Sequence, residues 1–189
     1  INTCWQTLRA WLPKFLQQGR GYAEVDALHF NSLFYVATDV GCVGAGFLTI
    51  WLVRRGLSVH SSRNAVFFAC AALSALTLLL AFLPKGWPLL AVLLLVGAGA
   101  LGVFPIYHAF TQEISSEHQG KVTGITGVAA WLLSSPAQKM FGRLIDRTGS
   151  FDLGLAIAGC LPLAAFLALW FFWNSRSTLG DGKLTSQSE

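Results

Sequence analysis

Two charged residues lie where an apolar chain least tolerates them. Arg9 follows Asn2 and Gln6 and precedes Pro13 at steps of four, three and four residues, which puts all of them on one helical face. Asp39 sits in a second such face with Tyr35, Thr38, Cys42, Gly46 and Thr49. Each lies about nine residues from its helix's outer end, about 14 Å at the helical rise, near the middle of a bilayer. A charge at that depth costs about 2.5–3.5 kcal/mol unless it is paired or in water. One reading is that Arg9 and Asp39 pair or flank a shared polar pocket. Arg9 then presents its planar guanidinium to a carboxylate substrate, and Asp39 is a proton-linked carboxylate. The other reading is structural: an Arg9 tied to backbone carbonyls or snorkelling outward, and an ion pair at Asp39 that fixes helix register.

Further along, Phe104, Tyr107, His108, Thr111 and Gln112 share one side of an apolar segment beside Pro105. That proline frees a carbonyl and can kink a helix for gating or for packing, and His108 is a candidate proton acceptor. Thr123, Gly127, Trp131, Ser134 and Gln138 align on the next segment, where Trp131 either stacks on a sugar ring or fills the core. The candidate substrate-binding set is therefore Gln6, Arg9, Tyr35, Asp39, Tyr107, His108, Trp131, Ser134 and Gln138.

Catalytic and cofactor patterns are missing from the sequence. It has no H-E-x-x-H, G-x-S-x-G or P-loop, so no enzyme activity is expected. Gly97, Gly99 and Gly102 satisfy G-x-G-x-x-G, but inside a continuous apolar run with no preceding strand, which argues against dinucleotide binding. With Gly41, Gly44, Gly46, Gly120 and Gly124 they are expected to let helices approach closely. Cys4, Cys42, Cys70 and Cys160 lie in apolar runs without metal-ligand spacing, so no cofactor or metal is expected.

The elements that must position these residues are membrane helices. Of 189 residues, 54% are hydrophobic and only 12% charged, against about 25% charged in soluble domains. The net charge of +4 is scattered rather than gathered in a tract, so nucleic acid is not an expected partner. Apolar windows predict six helices: the N-terminus to Gln18, Asn31 to Val53, Asn64 to Leu83, a fourth reaching Gln112, Lys121 to Phe141, and Leu153 to Trp173. A six-helix bundle over residues 1–173 and a disordered cytoplasmic tail over 174–189 follow. The first segment starts at Ile1 without methionine or signal-peptide features, and is expected to be truncated at its N-terminus. Arg54, Arg55 and Arg63 place their loop on the cytoplasmic side.

The polarity of the helices repeats as striped, striped, plain, twice over. Two such triplets run in opposite senses across the membrane, an inverted repeat of the kind found within transporter halves. The plain third and sixth helices are expected to face lipid, and the striped ones a wet interior.

The run Cys4-Trp5-Gln6-Thr7-Leu8-Arg9-Ala10-Trp11-Leu12-Pro13-Lys14-Phe15-Leu16, with Tyr35-x-x-x-Asp39-x-Gly41 and Gln112-Glu113-x-Ser115-x-x-x-Gln119-Gly120-Lys121-x-x-Gly124, resembles the C-terminal half of major facilitator superfamily transporters. The likeness is to the anion:cation symporter family, which includes hexuronate and other sugar-acid carriers. It implies an all-α integral membrane fold, helices seven to twelve of a twelve-helix carrier in the bacterial inner (plasma) membrane. The partners implied are the lipid bilayer, an N-terminal six-helix half, and a small organic anion moved with H+ or Na+. The family's loop motif Gly-x-x-x-Asp-Arg-x-Gly-Arg-Arg is matched loosely by Arg54-Arg55-Gly56 and better by Gly142 to Gly149, in a loop expected outside. A non-transporting membrane sensor or assembly subunit on the same helices is the alternative class.

Overall fold

The computed structural model describes residues 1–114 and 118–180; Ser115 of the motif above and tail residues 181–189 lie outside them. Among the described residues six α-helices follow one another: α1 (Asn2–Lys14), α2 (Glu24–Arg54), α3 (Val59–Ala75), α4 (Trp87–Ile114), α5 (Gln119–Thr148) and α6 (Asp152–Gly180). A π-helical segment, Phe15–Gly19, extends α1, and a 3-10 segment, Leu76–Phe82, extends α3. The order and number agree with the sequence, but several ends move. Glu24 and Asp26 start α2 before Asn31, because acids in a first turn oppose the positive helix end. The tail expected from Asn174 keeps helical backbone to Gly180, since no Pro or Gly interrupts it and elongating an existing helix is easy.

Helix α5 outlasts Phe141 and reaches Thr148, where Gly149 adopts φ 66° and returns its N–H to the Ile145 carbonyl at 2.8 Å. The segment Gly142 to Gly149 is therefore the last turns of a capped helix rather than a loop.

Among the described residues four helical stretches are long and apolar enough to cross a membrane: Glu24–Arg54, Val59–Phe82, Trp87–Gln112 and Asp152–Phe171. The other two of the six expected spans, α1 and α5, fall short of that standard. The α-helical part of α1 is only 13 residues long. Helix α5 carries Gln119, Lys121, Gln138, Lys139, Arg143, Asp146 and Arg147. These two polar helices pack on each other, and α1 packs also on α6.

Glycine sets the centre. Helix α4 lies against α2 and α3, and a Cβ on Gly41 would overlap the Ala98 backbone, one on Gly97 would strike Phe34 and Thr38, and one on Gly99 would strike Cys70, Leu73 and Ser74. A Cβ on Gly102 would likewise strike Cys70 Sγ, so the three glycines of the rejected dinucleotide pattern serve helix contact, as expected. Gly44, Gly46, Gly120 and Gly124 meet nothing within 4 Å and do not.

Around this crossing the core divides in two. At the end carrying the α1–α2, α3–α4 and α5–α6 connections, Leu8, Leu12, Phe15, Phe34, Leu93, Phe141 and Leu155 form one buried cluster. Toward the other end, Val66, Phe67, Val103, Ile106 and Phe166 form a second. Some buried hydroxyls turn back on their own helices, Thr38 to the Tyr35 carbonyl at 2.7 Å and Ser74 to that of Cys70 at 3.0 Å, whereas Ser62 Oγ and Thr77 Oγ1 are buried without a hydrogen-bond partner.

The expected exposure of α3 and α6 holds only on one side of each. Phe68, Leu78 and Phe82 of α3 and its extension, and Leu167, Trp170 and Phe171 of α6, point outward, yet both helices pack on each other and α3 packs on α4. The least covered apolar span is α2, with Val36, Val40, Val43 and Phe47 open. Lack of charge permits burial as readily as lipid contact, and small residues decided which sides closed.

The first end is fastened by polar bonds. Arg20 donates to both Asp152 carboxylate oxygens, at 2.6 and 3.4 Å, and to the Leu80 carbonyl at 2.6 Å. Gly86 N–H donates to Tyr22 Oη at 2.9 Å, and Lys85 Nζ donates to the Gly21 carbonyl. One guanidinium thus joins three connections, with side chains only 17% and 23% exposed. Arg20→Ala should cost about 2 kcal/mol, below the 3–5 of a fully buried pair because water reaches this one. An apparent Tm lower by about 4–8 °C in detergent would register it.

Candidate functional site

The polar helices α1 and α5 meet along a hydrogen-bonded seam. Asn2 Nδ2 donates to Ser134 Oγ at 3.2 Å, and Thr3 and Ser134 share a bond of 3.1 Å. Two turns along, Trp11 Nε1 donates to Gln138 Oε1 at 2.7 Å, and Gln138 Nε2 donates to Thr7 Oγ1 at 3.1 Å. Ser134 and Gln138, both expected to touch substrate, thus use their polar atoms to hold two helices together. Gln138→Leu should lose both of its bonds, about 1–2 kcal/mol at the strength of interhelical bonds in membranes. A lower apparent Tm would mark the structural role; an unchanged Tm with lost uptake would mark a substrate contact.

Two clefts flank this seam. The first, about 350 Å³, lies between the start of α1, the second half of α4 and the first half of α5. Its lining includes Asn2, Phe104, Tyr107, His108, Thr111, Thr123 and Trp131. Thr111 is buried and donates to the His108 carbonyl at 2.8 Å, which leaves Tyr107 and His108 as the polar rings at the cleft. The second, about 600 Å³, is bounded by Gln6, Ala10, Trp11, Lys14, Trp131, Ser134, Ser135, Gln138 and Lys139. Trp131, 61% exposed, borders both, so the clefts adjoin across one indole.

Six of the nine candidate residues therefore gather: Tyr107, His108 and Trp131 at the first cleft, and Gln6, Trp131, Ser134 and Gln138 at the second. Three do not. Tyr35 is half-buried in an aromatic cluster, edge-on to Trp5 at 6.1 Å and to Phe34 at 6.2 Å. That cluster occupies the α1–α2 seam, where an Arg9–Asp39 pair would have formed. Arg9 and Asp39 are instead exposed, and among the described residues the ion pair formed is Arg20 with Asp152. Arg9 follows Gln6 by three residues and precedes Ala10, which both line the second cleft, but Arg9 itself is not part of that lining. Pro13, within α1, offers no N–H to the Arg9 carbonyl.

Lys14, Lys139, Thr7 and Trp11 were missed as site residues. Lys14 ends α1 and Lys139 lies two residues before the end expected at Phe141, so both count in the sequence only as loop charge, while Thr7 and Trp11 fall off the Asn2–Gln6–Arg9 stripe.

The family model described as Major Facilitator Superfamily matches residues 1–137. The chain belongs to the Major Facilitator Superfamily. Among curated relatives, "Probable L-galactonate transporter" of Escherichia coli (strain K12) is 29% identical over 179 residues, covering 89% of this chain and 38% of the relative. "Probable galactarate/D-glucarate transporter" of Bacillus subtilis (strain 168) is 24% identical, covering 89% and 37%. "Hexuronate transporter" of Escherichia coli (strain K12) is 23% identical, covering 88% and 39%. This Major Facilitator Superfamily chain thus spans under two fifths of the length of these relatives, which are named as transporters rather than enzymes. No solved structure matches it.

Proposed function

We propose that the chain is one six-helix half of a secondary transporter in a bacterial plasma membrane. The intact protein moves a small organic anion, a hexuronate or related sugar acid, coupled to H+ or Na+. One observation carries this reading: α1 and α5 keep polar and cationic side chains, Gln6, Lys14, Ser135 and Lys139, around an open cleft. In a membrane such a side must meet water or protein, because hydrocarbon satisfies neither polar groups nor charge. A second six-helix half laid over α1 and α5 would enclose the opening as a central path. The cleft has two lysines and no acid in its lining, which suits a carboxylate, and Trp131 offers a face on which the apolar side of a sugar stacks. The names of the relatives point to the same substrate class.

The test is uptake of L-galactonate, D-glucarate and D-glucuronate into vesicles containing the intact carrier, with imposed H+ or Na+ gradients in turn. Concentrative uptake of at least one acid, driven by one gradient, is expected. Thermal stabilisation by these acids without flux would favour the sensor instead, and neither effect would sink both readings.

A further inference from the structure

We propose that Lys14 and Lys139 form an anion-capture site at the mouth of the α1–α5 cleft, which draws a carboxylate toward Trp131 before the substrate enters deeper. This rests on the transport reading and extends it to residues outside the predicted binding set. The two lysines come from different helices, α1 and α5, yet line one cleft of about 600 Å³. Both side chains are exposed, and among the described residues neither has an acidic partner. Lys14 is not loose. Its ammonium lies 5.0 Å from the centre of the Trp11 ring, and Trp11 is itself held by the 2.7 Å bond from its indole N–H to Gln138. Gln138 directly precedes Lys139, so the bond that positions Trp11 also fixes the backbone from which Lys139 projects.

A cation resting on an aromatic face keeps its N–H donors for a third group. Two such cations in one concave opening raise the local anion concentration and speed encounter, an effect that salt screens. Gln6 and Ser135 line the same cleft and can accept the hydroxyls of a polyol acid. Trp131, shared with the neighbouring cleft, is the step between capture and the Tyr107–His108 side. A lipid phosphate would meet the same two ammonium groups, so the source of the anion has to be distinguished.

The experiment is uptake by the intact carrier in phosphatidylcholine vesicles, comparing wild type with the double variants Lys14→Gln/Lys139→Gln and Lys14→Arg/Lys139→Arg. Exposed ion pairs are individually weak, so the Gln variant should raise KM about tenfold for the doubly charged D-glucarate and about threefold for the singly charged L-galactonate. Its kcat should be unchanged, its salt dependence flattened, and the Arg variant should restore both. A KM that stays at the wild-type value, or a salt dependence that survives the Gln variant, overturns the proposal. So does a defect that appears only when phosphatidylglycerol is added, since the lysines would then be headgroup anchors. If the wild type carries no sugar acid, the transport reading fails separately. Protection of Lys14 and Lys139 by D-glucarate against an amine-acylating reagent then upholds capture, and its absence overturns it.

Discussion

Replacing Gly41 with leucine is expected to leave no folded protein, and Gly41→Ala alone should lower stability by about 1–3 kcal/mol. The second result would be telling, because Ala for Gly inside a helix otherwise stabilises by about 0.5–1 kcal/mol. Even a methyl at Gly41 would overlap the carbonyl and Cα of Ala98, and those are backbone atoms that no rotamer change can move aside. The Gly41 carbonyl also lies 3.2 Å from where a Cβ on Gly102 would stand, so the two helices touch along more than one turn. Gly44, three residues on, meets nothing within 4 Å, and Gly44→Ala should raise the apparent Tm. Thermal unfolding of the two alanine variants in detergent, side by side, tests the sign reversal. Equal shifts would mean that α2 and α4 do not meet backbone to backbone.

The largest expected effect on uptake comes from Arg9. It is exposed and without a partner among the described residues, so Arg9→Gln should leave the apparent Tm within about 1–2 °C of wild type. A hydrogen bond to a charged group contributes about 1.5–3 kcal/mol, so losing a guanidinium–carboxylate contact should cut sugar-acid uptake between about tenfold and 100-fold. Arg9→Lys keeps the charge but not the planar fork, and should fall between. Full uptake by Arg9→Gln would remove Arg9 from the path, and the depth argument would then describe only a tolerated charge.

Much of the site can be read from spacing. Trp131, Ser134 and Gln138 fall on one side of α5, and that side does meet α1. The role of each is a different matter. Ser134 and Gln138 differ from Gln6 only in what stands opposite: Asn2, Thr3, Thr7 and Trp11 take up their polar atoms, whereas Gln6 faces an opening. Periodicity reports which residues share a face; it does not say how far that face is rotated toward a neighbour. The same limit explains Asp39. It shares a stripe with Tyr35 and Thr38, yet Thr38 is fully buried against α4 while Asp39 remains exposed, because the glycine contact at Gly41 sets the rotation of α2.

Six helices, their order, and the split between charge-free and polar-striped members are properties of the linear sequence, since hydrocarbon-length apolar runs and helical period are both local. The family likeness is equally local, carried by motifs on single helices. Tertiary structure alone decided that Arg20 bonds Asp152 across 132 residues, that Lys14 and Lys139 share a cleft, and that Arg9 and Asp39 stay apart. Each of these depends on how helices cross and rotate, which is governed by where small residues let backbones touch. That is a pairwise property of surfaces, and no single segment encodes it.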